Sequence, residues 1–115
     1  MSKKTELAWA AGFFDGEGCF CVQRSTRYGT VRMNLSITQV DRRPLDRFVK
    51  AIGYGKVTGP YQPPSHKGKP YYQVVITGEA AEIIAEFLWK YLSEPKREQY
   101  DKRYGEIHGA DMIAM

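Results

Sequence analysis

Trp9-Ala10-Ala11-Gly12-Phe13-Phe14-Asp15-Gly16-Glu17-Gly18-Cys19-Phe20 is the stretch on which the fold turns. With Leu7 and Ala8 in front of it, the stretch predicts a dense apolar helix that ends at Asp15-Gly16-Glu17-Gly18, where glycine tolerates the backbone of a helix stop. A helix apolar nearly all round must be covered on every side. A chain of 115 residues affords one core and one sheet. Leu7, Trp9, Phe13 and Phe14 are expected to serve that sheet. Ala10, Ala11 and Gly12 then form a flank of small side chains that lets a second backbone approach, and a symmetric copy is the simplest partner. Asp15 and Glu17 lie where the helix macrodipole is negative, so a positive group is expected to offset them. A divalent cation held by carboxylate and backbone carbonyl oxygens would do so. An ordinary solvated Asp-Gly turn is the alternative.

Outward from this helix the pattern changes period. Cys19 to Arg24 alternates, with Phe20 and Val22 on one face. Val31 to Thr38 alternates cleanly, with Val31, Met33, Leu35 and Ile37 opposite Arg32, Asn34, Ser36 and Thr38. Arg27 to Thr30 reads as the connection between these strands. Leu45, Phe48, Val49 and Ile52 recur at helical spacing after Pro44, and Gly53 ends that helix. Lys56 to Tyr61 and Tyr71 to Thr77 predict two further strands, joined by a loop rich in proline, glycine and lysine. Glu79 to Leu92 predicts an amphipathic helix with Ala80, Ile83, Ile84, Phe87, Leu88 and Tyr91 inward. Pro95 opens a last charged helix over Lys96 to Glu106, and the segment after Ile107 reads as a loose tail. The order is α-β-β-α-β-β-α-α. The expected fold is α+β, one domain over residues 1–115, with a four-stranded antiparallel sheet, helices on its apolar face and the other face open.

Composition narrows the class. The chain is 43% apolar and 26% charged, ordinary for a globular protein. The apolar run from Leu7 to Phe14 is far short of the ~20 residues a membrane span needs. No small-residue cleavage site follows it, so no signal peptide is expected. The net charge of +4 permits an anionic partner without requiring one, and a second copy would double it. The two cysteines, Cys19 and Cys21, share a strand face at a spacing poor for a disulfide. Only His66 and His108 could join them at a zinc ion, and both are remote in sequence. Reduced thiols suit an intracellular compartment.

Residues Ala10 to Gly18 resemble the nonapeptide of the LAGLIDADG homing endonucleases. Ala11, Gly12, Asp15 and Gly18 coincide with it, Phe13 and Phe14 are apolar replacements, Gly16 and Glu17 are common variants, and Ala10 replaces the leading leucine. Leu35-Ser36-Ile37-Thr38-Gln39 resembles the family strand that ends in Ile-Thr-Gln. Lys96-Arg97-Glu98-Gln99 resembles its basic cluster after the penultimate helix. The resemblance implies the family's αββαββα fold and, for a one-motif chain, a homodimer formed through the motif helices. It implies site-specific hydrolysis of double-stranded DNA with magnesium or another divalent cation. Glu17 would bind the metal with the backbone carbonyl of Gly16, Gln39 would order water at the scissile phosphate, and Lys96 would offset its charge. Asp15 is expected to fix the helix end.

The resemblance also gives the open sheet face a use, because a β-ribbon can lie in the major groove. Its expected DNA-binding residues are Cys21, Gln23, Ser25 and Arg27 from the first strand and its turn, and Arg32, Asn34 and Ser36 from the second. Lys56 and Thr58, then Tyr71 and Gln73, follow from the other two. Lys67 and Lys69 are expected on phosphates, and Arg43 near the site. A homodimer implies a near-palindromic target. No membrane and no small-molecule substrate are expected. A DNA-binding regulator of the same fold that does not cut, and an intron-RNA maturase, are the competing readings.

Overall fold

The motif helix α1 (Lys3–Glu17) runs straight into β1 (Gly18–Arg24), with no intervening loop. Then come β2 (Val31–Gln39), α2 (Arg43–Ile52), β3 (Thr58–Tyr61), β4 (Tyr71–Thr77), α3 (Glu79–Leu88), a 3-10 turn (Trp89–Tyr91) and α4 (Glu94–Ile113). This structure, a computed structural model, describes residues 3–64 and 68–113. The expected α+β architecture is present: four antiparallel strands in the order β1-β2-β4-β3.

Strand register separates the two faces. Phe20 lies opposite Leu35, Leu35 opposite Ile76, and Ile37 opposite Val74. Directly opposed residues project to the same side, and these side chains, with Met33, are all buried beneath the helices. Phe14 joins α1 to this layer, its ring 4.7 Å from that of Phe20 and 6.4 Å from that of Phe48. Burying aromatic rings of this size contributes on the order of 2–3 kcal/mol each.

Trp9 and Phe13 do not serve the sheet as expected. They stack on each other at 5.2 Å, and Phe13 meets Phe48 of α2 at 6.2 Å. Arg47 of α2 sits 4.0 Å from the Trp9 ring centroid and bonds Glu6 at 3.0 Å. That guanidinium holds the Glu6 carboxyl below the usual carboxylate range. α1 is thus clasped along one flank by α2.

Four expectations need correction. Ala10 and Ala11 are fully buried in the protein's own core, so they cannot be the flank offered to a second copy. The exposed small side chains of α1 are instead Ala8, Gly12 and Gly16, four residues apart on one helix face. In α3 the buried stripe is Ala81, Ile84, Ala85 and Leu88, while Ile83 and Phe87 are exposed. Two alanines let this helix lie close over β2 and β4, and closeness outweighed side-chain bulk. The helix stops at Leu88 rather than Leu92. Finally, the chain after Ile107 continues α4 to Ile113. His108 Nε2 lies 2.7 Å from Glu82 Oε1 and its ring 4.3 Å from that of Tyr104, which ties this segment to α3.

Candidate active site and nucleic-acid interface

The sheet brings three remote parts of the chain together at the foot of α1. Gly18 pairs with Ile37, so the start of β1 and the end of β2 lie side by side. Gln39, the last residue of β2, donates from Nε2 to Glu17 Oε2 at 3.0 Å. Lys96, in the first turn of α4, donates from Nζ to the Gly18 carbonyl at 2.8 Å, with its charge 5.3 Å from the Phe14 ring. Glu17, Gln39 and Lys96, expected as one constellation, are therefore gathered around one backbone turn. Glu17 is exposed there, whereas Gln39 and Lys96 are half-buried.

Local chemistry explains why the chain turns at this point. A Cβ on Gly18 would lie 2.1 Å from Phe14 Cδ2, and Phe14 is fully buried. Only glycine lets α1 pass into β1 across that ring. Asp15 faces the other way. Its Oδ1 accepts from the Ser93 backbone N–H at 3.1 Å and from the Ser93 hydroxyl at 2.9 Å. It was expected to fix the end of α1; its bonds run instead to Ser93, the residue before α4.

The donors at the foot of α1 are hard oxygens: the Glu17 carboxylate and the backbone carbonyl of Gly16, itself exposed. That set suits magnesium or calcium rather than a thiophilic metal. Among the described residues no three His, Cys, Asp or Glu converge on a metal-binding position. A cation held there would need further ligands from outside this chain, since a shell of about six is usual. Cys19 and Cys21 are free thiols with sulfurs 3.0 Å apart. Burial pushes the Cys21 thiol up, the neighbouring Cys19 adds to this, and Arg103 and Lys96 oppose it. Cys21 is held as a neutral thiol.

The open sheet face carries most of the expected DNA-binding side chains. Gln23 pairs with Arg32, Cys21 with Asn34, Ser36 with Val75, and Gln73 with both Thr38 and Thr58. Gln23, Ser25 and Arg32 also line a concavity of about 450 Å³ at the hairpin end, together with Tyr28 and Thr30. Arg27 lies in this turn, its guanidinium 5.3 Å from the Tyr28 ring centroid. Tyr71 packs against Tyr61 at 5.7 Å.

Of the remaining residues, Lys56 was expected on this face but lies before its strand, while Arg43 was expected near the site and Lys69 in the loop. Arg43 is in the first turn of α2, where Asp41 accepts from its Nε at 3.0 Å. Lys56 precedes β3, which begins only at Thr58, and Lys69 is exposed in the loop before β4. Lys67 lies outside the described residues.

Sequence reasoning put Thr38 on the polar face but left it out of the DNA-binding set, and it missed Val75 and Tyr61, which extending the alternation of β4 and β3 would have placed on the open face. It also missed Gln99 and Arg103. Gln99 Oε1 accepts from the Phe20 N–H at 2.9 Å, and Arg103 Nε donates to the Phe20 carbonyl at 3.3 Å. β1 is an edge strand, and these side chains satisfy its outward backbone groups. Their spacing from Lys96, three and seven residues, is that of one helix face.

The sequence model described as LAGLIDADG endonuclease matches residues 10–106. Among solved structures, the chain is similar to the homing endonuclease I-CvuI in complex with its target in the presence of calcium. There the TM-score is 0.68 at 23% identity, covering 85% of this chain and 63% of that one. It is also similar to an archaeal intron-encoded homing endonuclease, I-Vdi141I, complexed with DNA. That match has a TM-score of 0.68 at 21% identity, covering 94% and 72% of the two chains. The LAGLIDADG meganuclease I-AabMI bound to uncleaved DNA matches with a TM-score of 0.65 at 25% identity, covering 84% of this chain and 34% of that one. The chain thus spans less than two thirds of I-CvuI. No curated protein sequence matches it significantly.

Proposed function

The chain belongs to the LAGLIDADG endonuclease family, and from that premise we propose that it is a site-specific double-stranded DNA endonuclease acting as a homodimer. The observation that supports this reading is the convergence of Glu17, Gln39 and Lys96 on one turn, within 3.0 Å and 2.8 Å contacts of Glu17 and Gly18. Three polar groups of this type are not needed to hold a turn that Gly18 and Phe14 already define.

Each group has a task in phosphodiester hydrolysis. Glu17, with the Gly16 carbonyl, would hold a divalent cation, which when bound polarises the phosphate and lowers the pKa of attacking water. Gln39 orients the Glu17 carboxylate and offers an amide to the nucleophilic water. Lys96 presents a fixed positive charge, which favours the added negative charge of the transition state. Residues on the open sheet face, Gln23, Arg32, Asn34 and Gln73 foremost, read base edges in the major groove. Lys67 and Lys69 hold phosphates.

A second copy would meet this one along Ala8, Gly12 and Gly16. Added Cβ atoms at Gly12 and Gly16 would meet nothing within 4 Å, so these positions leave room for another helix. Two Glu17 carboxylates would then face each other near the symmetry axis and complete the oxygen shell. The target would be nearly palindromic.

The test is cleavage of a library of duplex sites with magnesium, wild type against Glu17→Gln. Wild type is expected to cut a narrow set of related sites. The variant is expected to bind them without cutting. Binding by wild type with no magnesium-dependent cutting on any site would replace the nuclease by a DNA-binding regulator.

A further inference from the structure

We propose that Asp15 and Ser93 are positioning residues that set the register of α4 and thereby deliver the Lys96 ammonium to the Gly18 carbonyl. The proposal rests on the nuclease reading for its consequence in cutting, but its geometry stands apart from it. Ser93 is the residue before α4, and its carbonyl accepts from Arg97 N at 3.0 Å, the first turn of that helix. Its hydroxyl has two partners. It donates to Asp15 Oδ1 at 2.9 Å and accepts from Lys96 N at 3.4 Å. The second contact has the spacing of a helix N-cap. The first joins that cap to the motif helix. Asp15 also takes the Ser93 N–H, so both polar atoms that define the start of α4 are anchored on one carboxylate oxygen. A negative group is favoured at that end of a helix.

From this anchor α4 presents Lys96, Gln99 and Arg103 to β1. Lys96 takes the Gly18 carbonyl, Gln99 the Phe20 N–H, and Arg103 the Phe20 carbonyl. A slip of one residue at the start of α4 would turn Lys96 by about 100° and shift it by about 1.5 Å. Its ammonium would then leave the turn that carries Glu17. The first acid of the motif therefore acts through Ser93 on the lysine, and the second acid serves the reaction directly.

The experiment compares wild type, Ser93→Ala, Ser93→Thr and Asp15→Asn as full chains, all shown folded by circular dichroism. Two readouts are taken: kcat and KM with their magnesium dependence, and amide hydrogen exchange at Phe20. The bonds of Phe20 run to Gln99 and Arg103 and not to Ser93, so a merely local cap would not change its exchange. Ser93→Ala is expected to lower kcat about 10- to 100-fold with KM and magnesium dependence unchanged, and to speed Phe20 exchange at least about 10-fold. Ser93→Thr, which keeps the hydroxyl, is expected to restore both. Asp15→Asn keeps an oxygen that can accept both Ser93 contacts and loses only the charge, so it is expected to lower kcat less than Ser93→Ala does. Unchanged Phe20 exchange in Ser93→Ala overturns the proposal, whether or not wild type cuts DNA. So does failure of Ser93→Thr to restore what Ser93→Ala loses. An Asp15→Asn variant rescued by more magnesium would make Asp15 a metal ligand and overturn it too. If wild type fails to cut while Phe20 exchange responds as expected, the nuclease reading falls and the positioning stands.

Discussion

Gln39 Nε2 donates a 3.0 Å hydrogen bond to Glu17 Oε2, and so joins the last residue of β2 to the last residue of α1. The two residues are remote in sequence, and only strand pairing brings them together. An exposed bond of this kind contributes about 1 kcal/mol or less to folding. Its larger effect is on direction, since it fixes which carboxylate oxygen of Glu17 faces outward.

Gln39→Ala should therefore separate activity from stability. Cutting should slow by about 10- to 100-fold through the misdirected carboxylate, while the denaturation midpoint stays near that of wild type. Single-turnover cleavage and urea melts on the same preparation decide it. Equal loss in both would make Gln39 a structural residue.

Glycines at the foot and along the face of α1 should respond in opposite ways. Gly18→Ala places a Cβ 2.1 Å from a buried Phe14 atom and should destabilise by about 1–3 kcal/mol. Gly12→Ala meets open space in a single chain and should gain up to about 1 kcal/mol of helix stability there. Urea melts at low concentration, where a dimer dissociates, measure both.

The dimer is tested by a bulkier change at the same place. Wild type should sediment as two copies and Gly12→Leu as one, with unchanged circular dichroism. A wild-type particle that is strictly monomeric, with and without duplex, would remove the symmetric arrangement and the near-palindromic target with it.

Acid should reveal where Arg43 is engaged. The side-chain hydrogen bond from Arg43, then its backbone N–H, hold Asp41 at about 2, well below the usual carboxylate range. A depressed carboxyl stabilises the fold above its ordinary pKa, and that contribution is lost as pH falls from about 4 toward 2. In Arg43→Ala, carbon-detected titration should find Asp41 closer to the ordinary range, while duplex affinity changes little. A large loss of affinity would return Arg43 to the DNA interface.

Duplex binding should weaken steeply with salt. Removing one phosphate contact lowers the slope of log K against log salt by about 0.9. Lys69→Ala should reduce that slope by about this amount per chain at every sequence. Arg32→Ala should instead relax preference among target sites. Filter binding across salt and sequence separates the two, and a slope independent of salt would contradict a groove-bound protein.

Several features were legible because they depend on local period. Alternation in Val31–Thr38 fixes two faces before any partner is known, and the register confirms which face is buried. The Ala10–Gly18 stretch placed the motif helix, and its acids marked the foot of that helix. α3 was misread because its pattern fits two overlapping stripes. Ile83 and Phe87 are larger, but Ala81 and Ala85 allow closer packing on the sheet. The tail after Ile107 was misread for a related reason. Beside the local stacking of Tyr104 on His108, its helix is held by the contact between His108 and Glu82, which no local window contains.

By itself the amino-acid order determined most element types, the polar and apolar faces of the strands, and the identity of Glu17, Gln39 and Lys96 as candidates. These follow from backbone geometry and from chemistry that each residue carries wherever it lies. Tertiary structure alone decided that Ala10 and Ala11 are core while Ala8, Gly12 and Gly16 are surface. It alone seated Asp15 on Ser93 and α4 along the free edge of β1. A helix apolar on every side does not say which side its own chain will cover. That choice is made when α2, α3 and the sheet compete for the same rod, and the side left over is the one with too little surface to bury.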